Sequence, residues 1–530
     1  MDSPRAGGVV VISGGSAANS LVDIFTNLAE SKRCSLSYII PISDNGGSSS
    51  ELIRVFGGPG IGDLRSRLIR LIPEDDDPTS ERNAIKAIFN HRLPASSDLA
   101  RLEWLEIVEA RHPLWKHISP AKKELIRSFL NLVNLEIVKR ARPSSVFNFA
   151  FASIGNLFLT GARVFSGSLE SAIYLLSTIG GVPQNIQVIP AINSNFSHHI
   201  SAGLADGSVI SGQNDISHPS VPTRLPSASP FNPQEEEEKG EEEKSSSSTS
   251  RPTTPDPISP TRETEAQDRI EDATLPGSLP TLRKQYLHVS KATETDLPAR
   301  IQRIWYINPY GQEIRPPVNP KAIESLRTAT SLIYSIGSLY TSILPCVILR
   351  GVGDALASAP SLRHKILILN GSLDRETGPA RHPFSALDFV AAVARAGAES
   401  RGRRTPPDEQ EYRLYVTHVI YVEGEGAPVV DRARLLELGI ECVRVYGRRL
   451  NGGGGAGSAG TSNGAGGAVG GANDPKPNTN TNINTNINTN TNTDAQKGAR
   501  YDPKALSQAL EAILGKRPDR INRRMTIEHM

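Results

Sequence analysis

Four short segments of the sequence carry residue types that can hold phosphate. The first is SGGS, Ser13, Gly14, Gly15 and Ser16, directly after the apolar run Val9–Ile12. Glycines between a buried strand and a helix let the backbone approach an anion, and the helix start supplies free N–H groups. The spacing is not GxGxxG, so a standard dinucleotide site is not indicated. The second, SDNGGSSS from Ser43 to Ser50, places the Asp44 carboxylate beside Gly46, Gly47 and a run of serines. That set suits a Mg²⁺–phosphate group, with Asp44 on metal or water and Ser48 or Ser49 on phosphate. Asp44 and Ser48 serve equally well as helix caps, and both readings stand. The third, GGPGIGDLRSR from Gly57 to Arg67, adds a second carboxylate, Asp63, and the fork-shaped donors Arg65 and Arg67. Its plainer alternative is an Asp–Arg salt bridge on a solvated helix start. The fourth, SIGSLYTS from Ser335 to Ser342, has Gly337 and Ser338 at a turn, followed by Tyr340, Thr341 and Ser342. These could hold a base, sugar or phosphate, although for this segment alone a serine helix cap is favoured.

The elements around these segments must bring them together. GGVVVISGG and LSYIIPI read as buried strands, and between them Leu21, Ile24, Phe25 and Leu28 have helical spacing. Strand, glycine turn, helix and strand make a βαβ unit, which places both glycine turns at one carboxyl edge of a parallel sheet. From about residue 80 to 141 the pattern is helical, with Trp104 and Trp115 anchoring a subdomain. An apolar helix-like stretch from Phe147 to Ile179 reads as interrupted at Gly155, Asn156 and Leu157. QVIPAI and GLADGSVISGQNDI then read as strands, with Asp206-Gly207 as a hairpin turn. Further strands are expected at IQRIWYIN, SLIYSIG, KILILN and YVTHVIYVEG, and helices at NPKAIESLRTA, LYTSILPCVIL, SALDFVAAVARA and DPKALSQALEAIL. The alternation specifies an α/β three-layer sandwich with a mainly parallel sheet and a helical elaboration. His198 and His199 have no further ligands at metal spacing and read as structural or exposed. Cys346 reads as core, and GEGAP at Gly424 to Pro428 as a strand-exit turn.

Composition narrows the class. The chain of 530 residues has 58 Lys and Arg against 56 Asp and Glu, so nothing draws it to nucleic acid or an acidic membrane. Three widely spaced cysteines argue for reduced thiols in the cytoplasm rather than a disulfide framework. No run approaches the ~18–20 apolar residues that cross a bilayer. The hydrophobic share of 38% is lowered by two tracts. One, residues 223–279, is rich in Ser, Thr and Pro around EEEEKGEEE; the other, residues 451–497, is Gly-rich and then repeats Asn-Thr and Asn-Ile. Neither can bury enough apolar surface to offset chain entropy, so both are expected to be disordered insertions. The rest, 1–222, 280–450 and 498–530, is expected to form one α/β domain.

Taken together, the motifs resemble the CofD/YvcK family, of 2-phospho-L-lactate transferases and gluconeogenesis factors. The resemblance rests on VVISGGS at Val10–Ser16, SDNGGSSSELIR at Ser43–Arg54, GPGIGDLRSRL at Gly58–Leu68 and GNLFLTGAR at Gly155–Arg163. NPKAIESL at Asn319–Leu326, SIGSLYTSILP at Ser335–Pro345 and KILILN at Lys365–Asn370 follow in the family's order. The Ser335–Pro345 tract makes the likeness closer to YvcK. The resemblance implies a Rossmann-like fold with a nucleotide site over the glycine turns. It implies a ligand-binding set of Gly14, Gly15, Ser16, Gly46, Gly47, Ser48, Asn156, Gly337 and Ser338, with Asp44, Asp63 and Arg65 as reacting groups and Asp44 on Mg²⁺. The first turn departs from the bacterial GGGTG, and Asp44-Asn45 replaces an acidic pair, leaving one fewer charge to hold a divalent cation. The implied ligand is a nucleoside-diphosphate-linked small molecule, UDP-sugar or GDP-type. Two functions are compatible with it: a transferase moving a phospho-acyl group to a hydroxyl, or a noncatalytic UDP-sugar-binding regulator of carbon metabolism or wall synthesis. A homodimer is compatible with both.

Deleting about Ser227–Pro276 removes no apolar face, so melting temperature and ligand binding should stay nearly unchanged. A large fall in the melting temperature of the deletion variant would show that the tract belongs to the folded core.

Overall fold

The computed structural model describes residues 7–15, 17–43, 46–141, 146–219, 278–284, 296–448 and 499–515. Both low-complexity tracts lie outside these residues except for Ser278 and Leu279, which are held in the fold, Ser278 buried and the Leu279 amide bonded to the Pro309 carbonyl. The first tract therefore ends two residues earlier than expected, and the disorder of the rest is not addressed. The first strand, β1 (Val9–Ile12), is buried along its whole length, as is β2 (Leu36–Ile40). Between them helix α1 (Val22–Lys32) buries Ile24, Phe25 and Leu28, the positions of the helical spacing. The chain continues through α2 (Ser48–Phe56), α3 (Gly62–Arg70), α4 (Glu81–Asn90), α5 (Ser97–Val108) and α6 (Pro120–Arg140). Helices α7 (Ile154–Ser166) and α8 (Leu169–Gly180) then lead into β3 (Ile186–Pro190).

The remaining strands of the main sheet are β8 (Ser331–Tyr334), β9 (His364–Ile368), β10 (His418–Tyr421) and β11 (Glu441–Arg444). The seven strands run in the order β11-β10-β9-β8-β1-β2-β3, and every neighbouring pair is parallel. Continuous apolar runs such as VVVI and SLIY are what a strand covered on both faces requires. The chain winds one way from β1 through β2 to β3 and the other way from β8 to β11. Right-handed crossovers therefore put α1 and the β2–β3 helices on one face and the later helices on the other. This is the expected α/β Rossmann-like sandwich.

A second sheet of four antiparallel strands stands apart from it, in the order β5-β4-β6-β7: β4 (His199–Leu204), β5 (Val209–Ser211), β6 (Ile301–Ile307) and β7 (Glu313–Ile314). The Asp206-Gly207 turn joins β4 to β5, with Gly207 at φ +86°. His199 is the first residue of β4 and is buried. Helices α4–α6 form the elaboration. Trp104 donates to Asn134 Oδ1 at 2.9 Å and stacks on Phe149, while Trp115 donates to the Ile107 carbonyl at 2.9 Å. Gly155, Asn156 and Leu157 do not interrupt a helix: they form the first turn of α7, and the break falls at Gly167-Ser168, with Gly167 left-handed at φ +65°. The glycine at 155 is there for contact. A Cβ would lie 2.6 Å from the Phe89 carbonyl oxygen and 2.9 Å from the Arg65 side chain.

The C-terminal part locks the far half of the sheet. Strand β12 (Gly447–Arg448) pairs with β13 (Arg500–Tyr501), and the buried Tyr501 hydroxyl donates to the Leu369 carbonyl at 2.7 Å. The Ile420 carbonyl lies 3.1 Å from the same hydroxyl, so one side chain ties together the ends of β9 and β10. Ala499 crosses so close to Gly371 that a Cβ there would sit 1.7 Å from the Ala499 carbonyl oxygen. Gly371→Ala must displace backbone, and it should cost on the order of 1–3 kcal/mol, the range for overpacking a filled site. A denaturation midpoint equal to that of the native chain would show that the crossing yields freely.

Candidate functional site at the carboxyl edge of the sheet

The strand order reverses between β8 and β1, and in open α/β sheets the crevice outside such a reversal is where ligands bind. Three of the glycine turns converge there. Gly14 follows β1, Gly47 follows β2 and Gly337 follows β8, and these three strands are neighbours running in the same direction. The convergence is close: a Cβ on Gly14 would lie 2.5 Å from Ser342 Oγ, at the start of the helix that follows Gly337. On Gly15 it would lie 2.2 Å from Asp63 Oδ1, so the second carboxylate rests against the first turn. Ser16 and Asp44 lie outside the described residues.

The second turn leads directly into α2. Gly47 has φ +56° and ψ −144°, a conformation for glycine, and a Cβ on it would meet none of the described residues within 4 Å. Among the described residues its backbone therefore borders open space. Ser48 is the first helical residue, and α2 has no side-chain cap, so Ser48 does not act as one. Instead its hydroxyl accepts from Asn156 Nδ2 at 2.9 Å, while Asn156 Oδ1 accepts from Arg65 Nε at 3.3 Å. All three residues are buried. Arg65, Asn156 and Ser48 thus form one chain across α3, α7 and α2, and it orients the guanidinium from behind.

The third loop is held by arginine as well. Gly58 has φ +98°, and the Arg163 guanidinium fills the place of its side chain, within 2.5–2.7 Å of a Cβ position. Beneath the first turn Arg67 is fully buried over the Tyr38 ring, 4.5 Å from its centroid. Burial pushes the Tyr38 hydroxyl up to about 12 and the Arg67 guanidinium down.

The fourth turn has a different construction. The Gly337 N–H donates to Asn370 Oδ1 at 2.9 Å and its carbonyl accepts from Asn370 Nδ2 at 2.9 Å, which clamps the ends of β8 and β9 together. The helix after it starts at Leu339, and its amides at Tyr340 and Thr341 donate to Glu376 Oε2 at 2.8 and 3.0 Å. The Thr341 hydroxyl donates to Glu376 Oε1 at 2.5 Å. A protein carboxyl therefore occupies those helix donors. Ser338 stands at the turn between Gly337 and this helix. Asn370 closes the KILILN strand, yet neither Asn370 nor Glu376 can be assigned to the site from local pattern. Each acts on a residue more than thirty positions away.

Among the described residues no group of three His, Cys, Asp or Glu side chains could hold a metal ion. No helix among them is long and apolar enough to cross a membrane. A cleft of about 940 Å³ lies at the amino ends of β1–β3 and is lined by residues such as Gly8, Ser35, Ser37, Gln187 and Lys321. It contains none of the glycine-turn residues. The carboxyl edge, with its open backbone and oriented arginine, is the stronger candidate.

A family model described as 2-phospho-L-lactate transferase CofD matches residues 9–435. The Saccharomyces cerevisiae protein YNL011C is 38% identical over 441 residues, 82% of this chain and 95% of that protein. Two crystal structures of Bacillus halodurans BH3568, one titled a member of the UPF0052 family, are 17% identical. They cover 84% and 85% of this chain and 93% and 95% of those chains, with TM-scores of 0.46 and 0.47.

Glu376 gives the site a pH signature. Burial and the neighbouring Asp374 raise its carboxyl to about 8, against the pull of its three donors. The folded state then holds a proton that the unfolded state releases near 4.5. Stability from this group is complete below about 4.5 and declines as pH rises through about 8. The melting temperature of the native chain should therefore fall from pH 5 to 9 more steeply than that of Glu376→Gln. Parallel profiles would mean that Glu376 stays ionised.

Proposed function

The chain belongs to the CofD family, and from that premise we propose that its carboxyl edge binds a nucleoside-diphosphate-linked small molecule and transfers its phospho-acyl group. One observation carries this reading. Arg65, oriented by Asn156 and Ser48, is on the same edge as the open Gly47 backbone and as Asp63 against the first glycine turn. Phosphoryl chemistry needs little covalent help from the protein, so positioning and charge stabilisation are the tasks such a site performs. In the proposed reaction an acceptor hydroxyl oxygen bonds to the terminal phosphorus of the diphosphate. The bond from that phosphorus to the bridging oxygen breaks, and a nucleoside monophosphate leaves with the electron pair. In this reading Asp63 receives the hydroxyl proton, and Arg65 binds the oxygens that gain charge.

In this reading Mg²⁺ would be held by Asp44 in the second turn together with the ligand's own phosphates. When bound it would neutralise phosphate charge. A noncatalytic UDP-sugar regulator would share the phosphate contacts and differ only in lacking turnover.

Calorimetric titration with UDP-, GDP- and ADP-linked ligands, with and without Mg²⁺, tests the binding. Asp44→Asn should abolish Mg²⁺-dependence while preserving the fold, and Arg65→Lys should weaken binding. Each loss should be on the order of 1–3 kcal/mol, the worth of a charge-assisted hydrogen bond. Unchanged affinity in both variants removes them from the site. Phosphorus NMR separates the two functions: slow release of nucleoside monophosphate, abolished in Asp63→Asn, is expected of a transferase, and an intact ligand of a regulator.

A further inference from the structure

Two buried arginines at this edge are built unlike the others. Arg54 is also buried, but it is paired with Glu51, Nε to Oε2 at 2.7 Å and Nη2 to Oε1 at 2.8 Å. Arg67 is 0% exposed and, among the described residues, has no carboxylate within 4.0 Å. Its Nη2 donates to Ser13 Oγ at 3.2 Å and to the Gly14 carbonyl at 3.1 Å, and its Nη1 to the Ala18 carbonyl at 3.4 Å. Its Nε is buried without a hydrogen-bond partner. Arg163 is 9% exposed and likewise has no such carboxylate among the described residues. It donates from Nη2 to the Gly57 carbonyl at 3.0 Å and from Nη1 to the Asn195 carbonyl at 3.3 Å.

Burying a guanidinium without an opposite charge is expensive, and neutral donors would hold carbonyls as well. Burial pushes both guanidinium pKa values down, and the Asp63 carboxylate, beyond ion-pair distance, pulls that of Arg67 part of the way back. Each one passes behind a glycine loop of the same edge: Arg67 behind Gly14, Arg163 behind Gly57 and Gly58. These bonds draw the Gly14 and Gly57 carbonyls toward the arginines. We infer that Arg67 and Arg163 are positioning residues that supply the counter-charge for a doubly charged phosphate ligand, so that the site selects diphosphate over less charged molecules.

This rests on the anion-binding reading of the edge but not on the nucleoside, so inorganic pyrophosphate is the probe. Its affinity is measured by calorimetry between low and moderate salt for the native chain, Arg67→Met, Arg163→Met and the two Lys variants, with UDP-glucose in parallel. Each Met variant should bind pyrophosphate about tenfold more weakly, with a flatter dependence on salt. The Lys variants keep the charge and should recover binding to within about threefold of the native chain. Circular dichroism shows which variants fold. If the Met variants do not, the Lys variants and the native salt dependence decide, and a flat dependence overturns the inference. Native-like pyrophosphate affinity in folded Met variants overturns it, as does a native chain that binds no pyrophosphate. Equal losses in Lys and Met variants also overturn it, because shape rather than charge would then be at work. Arginine-dependent binding of pyrophosphate without any of UDP-glucose would leave the inference standing and remove UDP-glucose as the ligand.

Discussion

The site depends on one arrangement, the double pairing of β1. Its four residues, Val9 to Ile12, are hydrogen-bonded in parallel to β2 on one side and to β8 on the other. Residues more than three hundred positions apart thereby reach the same edge in the same direction. Everything chemical at that edge follows from the reversal at β1: the first turn touches the Ser342 hydroxyl, and the second opens beside it. The apolar run that begins the domain is therefore more than core. It is the reference from which the glycine turns take their places.

Much of this was legible in the sequence, because a strand buried on both faces leaves a continuous apolar run and a parallel crossover leaves a helix after it. VVVI, LSYII, SLIY and HKILI all became strands of the sheet, and their order fixed the shared edge. Local pattern failed where contact, not propensity, decides. Gly155 reads as a helix break, but the carbonyl of Phe89 and the side chain of Arg65 come too near for any other residue. The separate antiparallel sheet was hidden because β4 and β6 pair across a long intervening segment. The bonds from Asn156 to Ser48 and Arg65 span 108 and 91 positions, and no periodicity reports such a contact. The roles of Asp44 and Ser16 lie outside the described residues and stay proposals.

The long low-complexity tracts are compatible with this order because the chain is held on either side of them. Before the first, Arg375 donates to the carbonyls of Asp215 and Ile216; at its end, the Leu279 amide donates to the Pro309 carbonyl at 2.8 Å. Around the second, β12 pairs with β13 and Tyr501 binds two strand ends. Closing a loop between points already fixed costs entropy that grows only logarithmically with length. Composition can then drift within the tracts while the edge keeps its shape.

The features that oppose stability are concentrated at the same edge. Arg67 and Arg163 are buried with no carboxylate within 4.0 Å among the described residues, and Glu376 is buried at a helix start with its proton affinity raised. Elsewhere the fold solves the same problem conventionally, as the Glu51–Arg54 pair shows. A chain selected for stability alone would have paired or replaced these groups, since apolar side chains of similar size fill such space at less cost. The two arginines beside glycine turns agree with the proposed site, whose charge a bound anion would complete, and this support is independent of motif.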